Sequence, residues 1–343
     1  MRFRAVPARF SLLCWGMPRL ARFAWAVLGY TLVVILWGAF VRASGSGAGC
    51  GSHWPLCNGV VVPRDAETAT LIELTHRISS GLAFVLVVVL LVWSFRATRP
   101  GSPVRLGAVL AFLFMVLEAA IGAGLVLFER VGDDSSLARA AWLAGHLINT
   151  FVLLACLTLT VWWASGGSPL RVRGVKRSAW IAGFLLGGTL LVGVTGAVTA
   201  LGDTLFRPAS VAEGLRQDLS PAAHFLVRFR IIHPVLAALA GLSILVLTPR
   251  LVARVPAYPM PAPGTITLAR ALGTLVLIQW AAGLANLLLL APVWLQLVHL
   301  FLADLLWITL VLITAQALTD RRRDRTGLRT GLVRDLSETG FSQ

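Results

Sequence analysis

The chain has 343 residues, of which 57% are hydrophobic and only 13% charged. A water-soluble domain carries roughly 25% charged residues, so the composition excludes an ordinary soluble protein and points to a polytopic membrane protein. Lys and Arg number 30, all but Lys176 being arginine, against 15 Asp and Glu. The basic excess lies in short segments between apolar runs, which fits membrane topology and argues against nucleic-acid binding.

The basic start (Arg2, Arg4, Arg9, Arg19, Arg22) leads straight into an apolar run long enough to stay in the membrane, so no cleavable signal is expected. Eight segments reach the roughly 20 residues that a spanning helix needs: 23–42, 71–94, 107–128, 140–163, 179–200, 227–248, 271–290 and 295–317. The predicted fold is an all-α integral membrane protein whose eight transmembrane helices form two pseudo-symmetric four-helix bundles. The predicted parts are a basic N-terminal segment (1–22), a first four-helix half (23–163), a linker (164–178), a second half (179–317) and a basic tail (318–343). The segments 1–22, 95–106, 164–178 and 249–270 and the tail hold 21 of the 30 basic residues. The positive-inside rule then places both termini in the cytoplasm and the connections 43–70, 129–139, 201–226 and 291–294 outside. The tail run Arg321-Arg322-Arg323-Asp324-Arg325 reads as an anchor beside anionic lipid.

The first outer connection reads Gly49-Cys50-Gly51-Ser52-His53-Trp54-Pro55-Leu56-Cys57-Asn58-Gly59. The topology puts this cysteine pair on the oxidising side, where disulfides persist. A structural disulfide is the first reading, and a redox-active one near a cofactor is the sharper alternative. Trp54 and Pro55 fit a lid over the outer end of the first bundle. Cys14 and Cys156 read as inert or packing residues.

The next stretch, Ile72-Glu73-Leu74-Thr75-His76-Arg77, opens the second span. Ionisable groups are costly in lipid and are functional candidates by default. Glu73 and His76 share one helical face, about one turn apart. His146, His233 and His299 stand at corresponding places in three other apolar runs. The halves overlay: Glu118-x3-Gly122 answers Gln279-x3-Gly283, His146-Leu147 answers His299-Leu300, and Gly38-Ala39-Phe40-Val41 answers Gly196-Ala197-Val198-Thr199. Both halves start cytoplasmic, so the repeat is parallel, about an axis along the membrane normal. In each half two helices thus bring two imidazoles to one depth, as helical bundles do when they hold a cofactor. A structural zinc site takes four ligands and often Cys, which each half lacks. A haem takes one or two axial ligands and a large apolar slot. Gly122, Gly124, Gly193, Gly196 and Gly283 could line such slots, or serve close helix packing. His53 and His224 have no repeat counterpart and are read as loop residues.

The halves differ where chemistry is expected. Glu73-x2-His76-Arg77 in the first answers Arg230-x2-His233-Pro234 in the second. Glu73 can act as a general base or steady a cation beside a substrate; the alternative is an ion pair with Arg77 or Arg42. Arg230 suits a carboxylate such as a haem propionate. Glu118 is a second carboxylate candidate.

With those residues in hand, the chain resembles the haem A synthase family over about 25–317. The resemblance rests on Val41-Arg42-Ala43-Ser44-Gly45-Ser46-Gly47 with the Cys50/Cys57 loop, on Glu73-x2-His76-Arg77, and on the run from Thr195 to Phe206. It continues in Arg230-x2-His233-Pro234, Gln279-x3-Gly283-x2-Asn286, Leu290-Ala291-Pro292 and His299-Leu300-x2-Ala303-Asp304-x2-Trp307. It implies eight transmembrane helices in two similar halves and an oxidoreductase that converts a ring methyl of haem O to the formyl group of haem A through hydroxylated intermediates, for cytochrome oxidase. It further implies that His233 and His299 ligate a resident haem b, and that His76 and His146 bind the substrate haem with Glu73 near the reacting methyl. Arg42, Arg77 and Arg230 would support the sites or meet propionates, and Cys50 and Cys57 match the family's loop pair. Some members carry a second cysteine pair in the third outer loop; 201–226 contains no Cys. The partners implied are the lipid bilayer, haem O, a haem O synthase and an electron-transfer protein; a homo-oligomer is also compatible. The competing readings are a di-haem b electron-transfer protein and a haem transporter or chaperone.

Overall fold

The computed structural model describes residues 18–64, 66–170, 176–253 and 263–319. The residues 1–17 with Cys14, most of the 164–178 linker's basic run (171–175) and the tail from 320 lie outside the described residues. Among the described residues the chain is helical, with no strand. The helices are α1 (Arg19–Ala43), α2 (Thr68–Ala97), α3 (Pro103–Leu127), α4 (Leu137–Ala164), α5 (Lys176–Leu205), α6 (Val211–Asp218), α7 (Phe225–Val252), α8 (Pro263–Leu288) and α9 (Val293–Ala317). All but α6 are long and apolar enough to cross a membrane. Helices are what such runs must form in lipid, because every backbone N–H and C=O has to be paired within the segment.

Local chemistry sets the ends. Ser102 Oγ accepts from Val104 N–H, with Pro103 next in chain, to begin α3. Ser136 Oγ accepts from Arg139 N–H to begin α4. Both follow the rule that a short hydroxyl before the first turn satisfies an orphan donor. Gly45 (φ 71°) turns the chain out of α1. The connection 201–226, expected as a loop, is partly helical. α5 runs on to Leu205, and α6 lies between it and α7, capped by Ser210 Oγ on Glu213 N–H.

In the first half, α1 packs on α2, α2 on α3, α3 on α4, and α4 back on α1. In the second, α5 packs on α7, α7 on α8, α8 on α9, and α9 back on α5. The seam between the rings is made chiefly by α4 and α9. In their most apolar windows 56% and 50% of residues are buried, against 17–33% in the other six spans. At the seam Trp307 of α9 stacks on Phe151 of α4 with ring centroids 5.0 Å apart, and its Nε1–H donates to Phe151 O at 2.7 Å. A buried indole N–H thus finds its acceptor while the ring fills the core. Cys156, also on α4, is a free and buried thiol, the packing role expected of it.

Candidate functional site

The first outer connection is bolted to the start of α2. Cys50 and Cys57 form a disulfide. Gly49 lies so close to α2 that an added Cβ would meet the backbone of Ala69 at 2.5 Å, so only glycine fits there. Its carbonyl accepts from Thr70 Oγ1 at 2.7 Å and from Asn58 Nδ2 at 3.2 Å. Glu73 is 3% exposed and uses both oxygens. Oε2 accepts from Cys50 N–H at 2.9 Å. Oε1 accepts from Arg77 Nη2 at 2.5 Å and from Arg77 Nε at 3.2 Å. The four-residue spacing makes that pair neighbours on one helix face. Arg77 reaches on, donating from Nη1 to His53 O at 2.7 Å and to Leu56 O at 2.6 Å. The Arg77 alternative for Glu73 is therefore realised, and one partner was missed: the Cys50 amide, which no sequence pattern signals. Trp54 and Leu56 of this loop are exposed.

The four histidines lie between the seventh and tenth residue of α2, α4, α7 and α9. Three imidazoles pack on glycines. A Cβ at Gly38 would meet His76 Cε1 at 2.9 Å, one at Gly196 would meet His233 Cε1 at 3.0 Å, and one at Gly283 would meet His299 Cε1 at 3.3 Å. Gly122, which answers Gly283 in sequence, has nothing within 4 Å of its would-be Cβ. His233 Nδ1 stands 3.2 Å from Thr195 Oγ1, whose hydroxyl also lies 3.0 Å from Val192 O. Nδ1 of His76, His146 and His299 is buried without a hydrogen-bond partner. His146 Nδ1 has Glu118 Oε1 at 3.5 Å. Gln279 Nε2 lies 3.3 Å from His299 Nε2 and donates to His299 O at 3.1 Å.

The rings of His233 and His299 lie with centroids 6.4 Å apart and planes nearly perpendicular, at 87°. An imidazole holds a metal at about 2 Å, so this gap is the right size for one iron between two rings. Among the described residues no group of three or more His, Cys, Asp or Glu is arranged to hold a metal ion. Two imidazoles against glycine-lined walls would suit a haem, and fit it better than a tetrahedral zinc.

The arginines are committed to the frame. Arg42, at the end of α1, donates to Ala200 O at 2.8 Å, Thr204 Oγ1 at 2.9 Å and Gln296 Oε1 at 3.0 Å, joining the first half to α5 and α9. Arg230 is 9% exposed and every one of its nitrogens is engaged. Nε donates to Asp203 Oδ1 at 2.8 Å, Nη1 to Gln217 Oε1 at 3.3 Å and Asp218 Oδ1 at 3.4 Å, and Nη2 to Gly202 O at 3.1 Å and Phe206 O at 2.6 Å. The residue expected to meet a propionate thus anchors α6 and the end of α5. His224 is structural, its Nδ1 accepting from Leu226 N–H at 3.4 Å between the rings of Phe206 and Phe225.

Residues 21–311 match the COX15-CtaA family, described as cytochrome oxidase assembly protein. A protein of Thermus thermophilus named "Protoheme IX farnesyltransferase" is 50% identical over 301 residues, which are 88% of this chain and 48% of that protein. Proteins named "Heme A synthase" are 35% identical over 179 residues in Exiguobacterium sp. (52% of this chain, 56% of theirs) and 43% identical over 106 residues in Geobacillus kaustophilus (31% and 33%). The chain spans about half the length, or less, of these curated relatives.

Proposed function

This chain belongs to the COX15-CtaA family of cytochrome oxidase assembly proteins, and on that premise we propose that it makes haem A by oxidising a ring methyl of haem O to a formyl group through hydroxylated intermediates, the four electrons removed being taken up by an electron-transfer partner. The observation that carries this reading is the unequal furnishing of the two histidine pairs. Carboxylates stand beside the first pair, Glu73 one turn from His76 on α2 and Glu118 3.5 Å from His146. The corresponding places beside the second pair hold Arg230 and Gln279. A symmetric electron carrier has no use for that difference; a substrate site next to a resident cofactor does. A haem held by these histidines would supply one-electron chemistry, and the rest falls to the side chains.

In this reading His233 and His299 hold a resident haem b, and His76 and His146 bind haem O. Glu73 accepts a proton or steadies positive charge at the reacting methyl, as a positioned carboxylate can. Arg77 and the Cys50 amide fix where Glu73 sits, and the disulfide-bonded loop keeps water off that end of the first bundle. Arg42 and Arg230 support the sites from the frame. The halves are 23–163 and 179–317, related as a parallel repeat, with both termini cytoplasmic and the histidines toward the outer face. A haem O synthase, an electron-transfer protein and further copies of the chain are the partners proposed.

The name of the Thermus relative suggests prenyl transfer to protohaem IX as a second reading. About half of that protein lies outside the match. Prenyl transfer from a diphosphate needs carboxylates gathered on a divalent cation, and the described residues gather no such group. The names agree on a haem as the molecule acted on, which supports the substrate class proposed.

The test is to co-express the chain with a source of haem O, purify it, and separate the extracted haems by chromatography with mass detection. Haem b together with haem A or its hydroxylated precursor is expected. Haem b alone, with haem O available, overturns the synthase reading in favour of an electron-transfer protein.

A further inference from the structure

Glu118 on α3 and Gln279 on α8 each stand four residues before a glycine and beside the second histidine of their half, yet they meet it differently. Two residues of α4 hold the Glu118 carboxylate. Asn149 Nδ2 donates to its Oε2 at 2.5 Å, and to Phe114 O at 2.9 Å. Thr150 Oγ1 donates to its Oε1 at 2.5 Å. So anchored, Oε1 lies 3.5 Å from His146 Nδ1, a buried nitrogen with no hydrogen-bond partner. Gln279 instead brings a neutral amide to the other ring nitrogen of His299, Nε2, at 3.3 Å. Packing differs as well: His76, His233 and His299 rest on Gly38, Gly196 and Gly283, whereas nothing lies within 4 Å of a Cβ built on Gly122. His146 therefore lacks the glycine contact that fixes the other three rings, and the group positioned to fix it is a carboxylate.

We propose that Glu118 is the positioning residue of His146. It accepts from Nδ1–H, sets the tautomer that leaves Nε2 for iron, and holds a haem bound there at a lower reduction potential than a neutral neighbour would. The inference rests on the haem reading of the first histidine pair. Its physical basis is general. A metal-bound imidazole that donates its second N–H to a carboxylate becomes a stronger donor and keeps one orientation. An anion close to the iron also favours the ferric over the ferrous charge. A charge-assisted hydrogen bond is roughly twice as strong as a neutral one, so a change of about tenfold in the ferrous-to-ferric ratio is expected. A carboxylate has about four acceptor positions, and Asn149 and Thr150 leave room for the imidazole.

The experiment uses the full chain loaded with protohaem IX iron as the probe, followed by optical redox titration and by EPR of the ferric state. The signal lost in H146A identifies the first-half site. At that site E118Q is expected to raise the ferrous-to-ferric ratio at fixed poise about tenfold, equivalent to about 59 mV for one electron, and to alter the ferric g values as the ring turns. E118D retains the anion one methylene further back, so a smaller shift of the same sign is expected. The paired substitution N149A/T150V keeps the charge but frees the carboxylate, and should change the g values more than the potential. If H146A removes a haem while E118Q and E118D leave potential and g values as in wild type, Glu118 has no such role and the haem reading stands. If H146A leaves haem content and spectrum unchanged, the haem reading of the first pair itself falls.

Discussion

The histidine-bearing ends of the two halves solve one problem with opposite charges. At the start of α2 a carboxylate, Glu73, gathers donors: the Cys50 amide and Arg77. At the start of α7 a guanidinium, Arg230, gathers acceptors: Asp203, Gln217, Asp218 and two carbonyls. Each fastens an outer connection to the helix that carries a histidine three residues further on. The difference is in what remains. Arg230 is enclosed and satisfied, a frame element. Glu73 is as buried and has both oxygens engaged, but it sets an anion, not a cation, at the mouth of the first bundle, beneath a loop closed by a disulfide. Equal fastening with unequal chemistry is what a chain needs if one half keeps its haem and the other turns a haem over.

That contrast can be broken at several points. The largest effect is expected from H233A, which should abolish the resident haem b signal of purified protein, while H76A should spare it. An unchanged haem b spectrum in H233A moves that haem elsewhere and ends the division of labour. E73Q keeps an acceptor for the Cys50 amide but loses the charge. It should retain haem and the Cys50–Cys57 bond while product formation drops by about 10² or more, the usual share of a positioned acid–base group. Product at the wild-type rate reduces Glu73 to a loop fastener like Arg230. R230M should leave Asp203 and Asp218 without their cation. Removing one partner of a buried pair costs about 3–5 kcal/mol, read as a lowered thermal midpoint in detergent; a midpoint within error of wild type refutes the anchoring role.

The smallest effect concerns the loop before α4. Burial by itself would raise the Asp134 carboxyl, but hydrogen bonds from Ser136 and Arg130 outweigh it and hold it below its usual range. The sign follows directly: with the folded value lowered, this contribution is complete above the unfolded value of about 4 and is lost as pH falls through the folded one. Wild type should thus lose stability relative to D134N below about pH 4, and parallel melting curves for the two proteins would refute it.

Much of the frame could be read from the chain because lipid imposes a strong pattern. Eight apolar runs gave eight helices, and the spans fell within several residues of their ends. The Cys50–Cys57 bond followed from spacing and sidedness. The site's outer contacts were harder. Glu73 to Arg77 is a local four-residue pair and was foreseen; Glu73 to the Cys50 amide depends on how a loop folds back, to which side-chain patterns are blind. Arg230 invited a ligand carboxylate because Asp203 and Asp218 are distant in sequence and lie in a connection read as coil. Asp203 in fact sits on an extended α5, and Asp218 ends a helix whose Ser210-x2-Glu213 start was a usable signal. Glu118, Asn149 and Thr150 could have been joined by noting that α3 and α4 are consecutive and antiparallel, which puts these residues at similar depth.

Arg42 has a mechanical consequence. It is a strut at one rim of the bundle, with three bonds reaching from α1 to α5 and α9. Prising the rims apart means breaking all three, at about 1 kcal/mol each, and leaving a guanidinium stranded among apolar helices. The cheaper motions lie within each half. The spacing between the histidine pairs then stays constant, as in a rigid truss.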